Sequence, residues 1–153
     1  MAAGTALHWV VVTLGDGGPG AATGVQHGTQ APGLAFPATR VVRWKADDSF
    51  DSLEAWDGAA WQTTPGWLGT VGAQAESDAN QTVELRLPRA ALGLGDEVKL
   101  HVSFVYEGAP YESSYAVTPA GSFAEGAYDP DYTRWWGFDL SSPAAPSTYA
   151  PLP

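Results

Sequence analysis

The 153-residue sequence contains no cysteine, which excludes a disulfide framework and any thiolate chemistry and leaves the redox compartment open. Cations are scarce: 7 Lys plus Arg stand against 17 Asp plus Glu, a formal charge of -10. A nucleic-acid groove or an anionic membrane surface needs the opposite sign, so neither is an expected partner. Residues 1–14 have no basic leader region, and their apolar run is too short to span a bilayer, so neither a signal peptide nor a membrane helix is read there. No window of ten or more residues carries an apolar stripe of helical period. Gly-x-Ser-x-Gly elbows, His-Glu-x-x-His ligand spacing and phosphate-cradling loops are missing too; the glycines of residues 15–20 lack the following Lys-Ser/Thr and helix.

What is abundant is 18 glycines, 12 prolines and a large aromatic complement of 7 Trp, 6 Tyr and 5 Phe. With thinly spread helix formers, this composition predicts an all-β fold, an antiparallel β-sandwich. One domain is expected over residues 1–140, followed by a Pro-rich tail or linker at 141–153 that should not join a sheet.

Alternation is clearest in residues 82–106. Val83, Leu85 and Leu87 alternate with Thr82, Glu84 and Arg86, and Pro88 ends the strand. Val98, Leu100, Val102, Phe104 and Tyr106 then face one way, with Lys99, His101 and Ser103 on an expected wet face. The connection reads as one helical turn at Ala90 to Leu92, ended by Gly93 or Gly95, with Leu92 and Leu94 closing the end of the sandwich. Residues 7–14 are apolar almost throughout, the mark of a central strand covered on both faces. Residues 16–33 form a long Gly/Ala/Gln/Thr loop without a packing pattern.

Residues 40–45 and 50–56 read as strands, with Val42 and Trp44 facing the core and Arg43 and Lys45 facing water. Asp57-Gly58-Ala59-Ala60 is a hairpin signal that makes Trp56 and Trp61 cross-strand neighbours. Residues 67–79 read as a polar passage, 111–117 as an edge strand, and 133–140 as the strand that closes the sheet.

Residues 82–96, Thr-Val-Glu-Leu-Arg-Leu-Pro-Arg-Ala-Ala-Leu-Gly-Leu-Gly-Asp, resemble a recurrent strand-and-turn passage of the DOMON-like, jelly-roll-like β-sandwiches. That group includes the family 9 carbohydrate-binding modules and the C-terminal domain of glucodextranase-like enzymes. Ser-Leu-Glu-Ala-Trp-Asp-Gly-Ala-Ala-Trp at 52–61 resembles their hairpin, and Trp-Gly-Phe-Asp-Leu at 136–140 their last strand. The resemblance implies an extracellular or surface-attached module that often binds sugars. Members usually have a strand or two before the one that residues 7–14 resemble. The chain is therefore expected either to be an N-terminally shortened version or to receive those strands from elsewhere, through an open edge on its first strand.

The resemblance implies that sugar would be bound by aromatic rings stacking on the apolar face of a pyranose, with Asn, Gln, Asp or Arg fixing the hydroxyls. Alternation assigns Trp9, Trp44 and Trp136 to the interior, which leaves Trp56, Trp61, Trp67 and Trp135 as candidate platforms for a polysaccharide or oligosaccharide. The same rings could bury against a homo-oligomer or a parent polypeptide, the competing reading of a structural or assembly protein. Among 17 acids some carboxylate pair always lies within reach, so a glycosidase reading has little to stand on and no catalytic residue is assigned. Asp129 and Asp131 with Glu125 offer oxygen ligands to calcium, as do Asp47, Asp48 and Asp51, without the spacing of a defined calcium loop. No other cofactor is expected: Met1 and the scattered His8, His27 and His101 provide no axial pair for haem. His101 is expected to be an ordinary surface residue.

Overall fold

The computed structural model describes residues 8–77, 82–108, 111–123, 128–141 and 151–152. Its elements in chain order are β1 (His8–Gly15), β2 (Ala21–Thr23), β3 (Gly33–Ala38), β4 (Arg40–Lys45), β5 (Asp51–Trp56), β6 (Trp61–Pro65), β7 (Ala73–Ser77), β8 (Thr82–Arg86), α1 (Arg89–Leu92), β9 (Glu97–Gly108), β10 (Tyr111–Thr118), β11 (Trp135–Asp139) and β12 (Pro151–Leu152). The fold is an all-β, antiparallel sandwich built on one eight-stranded sheet, ordered β12-β11-β9-β1-β4-β5-β6 with β10 also on β9. The long strand β9 serves three partners. One edge pairs with β1, and the other is shared end to end by β11 at Glu97–Leu100 and β10 at Val102–Gly108.

Two small hairpins, β2–β3 and β7–β8, cover opposite faces of this sheet. Strand register sorts the side chains between them. Val10, Val12 and Leu14 share a face with Trp44, Val42, Leu53, Leu100, Val102 and Phe104. This face forms the apolar core with Trp67, Leu68, Leu92, Leu85 and Leu87, under β7–β8 and the single turn α1. As expected, the turn ends at Gly93, whose φ of 66° is left-handed, and Leu92 is buried with Leu94 packed beside it.

The opposite face is covered too, and beside the buried apolar Trp9, Val41 and Val105 it holds a set of polar groups. It carries Thr13, Ser52, Glu54, His101 and Ser103, all buried, and the connection between β2 and β3 brings His27 and Gln30 down on it. Residues 16–33 are therefore a covering hairpin whose buried contacts come from Ala21, His27 and Gln30, with no alternating pattern to announce it.

Three sequence expectations are corrected here. The first strand has no open edge over residues 8–15, since β4 and β9 pair with its two sides. The apolar character of β1 reflects a central position, and strand addition at that edge has no vacancy to fill. Residues 67–79 are not simply polar connection, because Trp67 and Leu68 sit in the core. The Pro-rich tail does join the sheet: Pro151 and Leu152 pair with Trp136 and Trp135. A two-residue edge pairing is the kind that proline tolerates.

Candidate functional site

The β5–β6 hairpin is set by Asp57, whose Oδ1 accepts from the Ala59 and Ala60 amides at 2.8 Å each and whose Oδ2 accepts from the Gln62 side-chain amide at 2.7 Å. These three donors, led by the Ala60 and Ala59 amides, hold the Asp57 carboxyl below its ordinary pKa. With the turn fixed, Trp56 and Trp61 stand directly opposite each other, as the sequence predicts. Their ring centroids are 5.4 Å apart at 62°, so the two indoles form a corner rather than a stack. The Trp61 indole N–H donates to the Thr23 carbonyl at 3.2 Å and ties the hairpin to β2.

Between the corner and β2 lies an open hollow of about 370 Å³, lined beside the two indoles by residues that include Ala21, Ala22, Thr23, Gln26 and Ala60. Both tryptophans are half-buried. Two neutral polar residues accompany them: Thr23, and Gln26, whose side-chain amide donates to the Gly28 carbonyl at 2.9 Å.

The other two candidate platforms are elsewhere. Trp67 is only 4% exposed and belongs to the apolar core, so it is not a platform. Trp135 is half-buried on β11, at the other side of the sheet from β6, and so does not join Trp56 and Trp61. Its ring packs edge-on against Phe36 at 6.2 Å, and the Lys99 ammonium lies 5.4 Å from its centroid.

The acidic candidates do not gather into a cation site. The Asp129 Oδ1 accepts from the Ala31 amide at 2.5 Å, and Asp131 bridges to Gly33, so both pin the segment around them to the start of β3. Glu125 lies outside the described residues. The Asp47 Oδ1 takes the Ser49 hydroxyl and amide, the Asp48 Oδ1 the Trp44 indole N–H at 2.7 Å, and the Asp51 Oδ1 the Leu68 amide at 2.7 Å. Among the described residues no group of three His, Cys, Asp or Glu is placed to hold a metal ion.

Two polar clusters escaped the sequence reading. Glu54 is fully buried; one carboxylate oxygen accepts from Arg43 and from the Ser52 hydroxyl, and the other accepts from Thr63. The Arg43 guanidinium also lies 5.8 Å from the Trp9 ring centroid and 5.9 Å from that of Phe50. Beside it, burial would raise the Glu107 carboxyl, but the Trp9 indole N–H at 2.8 Å and Lys45 at 3.3 Å outweigh that and hold it below its ordinary pKa. The second cluster is centred on His101, expected at the surface but 1% exposed. Its ring lies 4.2 Å from that of Tyr132, which in turn meets Phe123. Neither imidazole nitrogen has a hydrogen-bond partner among the described residues, and burial pushes its pKa down to about 4. The signal that could have found it is β1: a strand covered on both faces needs a neighbour, β9, that is covered on both faces too.

Comparison with protein-family models, with characterised proteins and with solved structures finds no match for this chain.

Proposed function

We propose that this chain is a non-catalytic binding module of the cell exterior that holds a polysaccharide or oligosaccharide at the Trp56–Trp61 corner. The observation that carries the reading is a pair of half-buried indoles, held at a fixed angle by a braced hairpin and opening onto a hollow of about 370 Å³. That volume falls in the range of small-ligand sites, and an aromatic wall with few polar groups suits a pyranose, which has an apolar face and a hydroxyl rim. Orientation is already fixed by the Trp61–Thr23 hydrogen bond, so little ordering cost falls on binding. Glu54, on the same face of β5, is occupied by Arg43, Ser52 and Thr63, so the nearest inward carboxylate acts as a structural group rather than as an acid or base. The acidic balance, with few lysines, accords with an exported protein.

The test is retardation of the purified chain in gels that contain neutral glucans, xylans or mannans, alongside quenching of Trp fluorescence. Trp56→Ala and Trp61→Ala should each weaken binding at least about tenfold, equivalent to about 1.4 kcal/mol, while both variants remain folded. Retention that survives both changes would remove the site, and no retention of the parent chain by any glycan would remove the function.

A further inference from the structure

The charge pattern around the hollow carries the reading one step further, to the class of glycan. Besides the two indoles, the lining consists of small or uncharged residues, and no cation is among them. All seven cations of the chain are accounted for elsewhere. Arg43, Lys45 and Arg89 pair with Glu54, Glu107 and Asp96. Lys99 lies over Trp135, Arg134 donates to the Ala120 carbonyl at 3.2 Å, and Arg86 belongs to the hairpin that covers the opposite face. Arg40 comes nearest along the backbone, but it stands opposite Ala55, one residue out of step with Trp56, and therefore projects to the other side of the sheet. The charge that does stand beside the corner is Asp57, ionised and held in the turn by three donors.

We infer that the Trp56–Trp61 hollow selects uncharged glycans and rejects uronate-bearing or sulfated ones; this rests on the binding function proposed above. An anionic substituent brought into the hollow gives up water without meeting a counter-charge, next to Asp57 and in the field of a chain of formal charge -10. A neutral sugar meets the two indoles and the uncharged Thr23 and Gln26 of the lining at no such cost.

The experiment compares a neutral β-glucan and a neutral mannan with the same polymers carboxylated at C6, by affinity electrophoresis of the full chain at low and high salt. Neutral polymer should bind at least about tenfold more tightly than its carboxylated form at low salt, with the gap narrowing as salt screens the repulsion. Ala22→Lys, which places a cation on the rim of the hollow, should move the carboxylated-to-neutral ratio at least about fivefold toward the carboxylated form. Equal affinity of the parent chain for both forms overturns the selectivity while leaving the binding function standing. Retention of neither form overturns both.

Discussion

Replacing His101 by Phe should remove a large part of the protein's sensitivity to acid. His101 sits in the middle of β9, opposite Thr13, with Tyr132 stacked 4.2 Å away and both ring nitrogens without hydrogen-bond partners among the described residues. Its pKa falls from 6.5 in the open chain to about 4 in the fold because burial penalises the charged ring. A base whose folded pKa is depressed binds its proton in the unfolded chain first. The fold is therefore unpenalised above pH 6.5 and loses stability as pH falls from there toward 4. Over that window the proton linkage amounts to about 3 kcal/mol, of which about 2 kcal/mol is already lost at pH 5. Phe keeps an aromatic ring against Tyr132 and carries neither a titrating group nor unpaired nitrogens. Urea unfolding of parent and variant at pH 8, 6.5 and 5 separates this contribution from the carboxylates common to both. The parent should lose about 2 kcal/mol more than His101→Phe between pH 8 and 5. Parallel pH profiles of parent and variant would refute the account.

The buried ion pair offers a second test. Glu54→Gln leaves the Arg43 guanidinium, whose side chain is 14% exposed, without its counter-charge, and should cost about 3 kcal/mol by chemical denaturation. Adding Arg43→Met to Glu54→Leu should recover much of that loss, because the desolvation penalty leaves with the pair. Trp67→Ala should cost about 3 to 5 kcal/mol in the same assay, as expected for a large side chain packed in the apolar core. If Trp67→Ala proved no more damaging than Trp56→Ala, the division between core and site tryptophans would be wrong.

Elements whose information is local were legible in the sequence. Alternation located β4, β8 and β9, and the turn residues located β5, the Trp56–Trp61 register and the α1 exit at Gly93. Half of the candidate site was read for the same reason, since a hairpin tip is defined by its own residues. What could not be read depends on which element covers which face. His101 alternates with apolar residues as a solvent-facing residue does, and becomes interior only because residues 21–38 and Tyr132 lie over that side. Trp67 lies in a stretch rich in glycine and polar residues, so its composition hides a core anchor. The hollow needs β2, which is three residues long and has no sequence signature, to form its second wall.

The packing of this second face also explains why the tryptophan corner is at an edge. Along β5 the inward positions are Ser52, Glu54 and Trp56: the first two are sealed, and the third is half-buried as the strand reaches the rim of the covering hairpin. On β6, which pairs only with β5 among the described residues, Thr63 is exposed and Trp61 half-buried. Along β5 the cover over this face therefore thins toward the hairpin tip, where the large Trp56 ring is half-buried. On that argument the two tryptophans can be exchanged for alanine at a smaller cost to the fold than Trp67, so loss of binding and loss of stability should separate at Trp56 and Trp61.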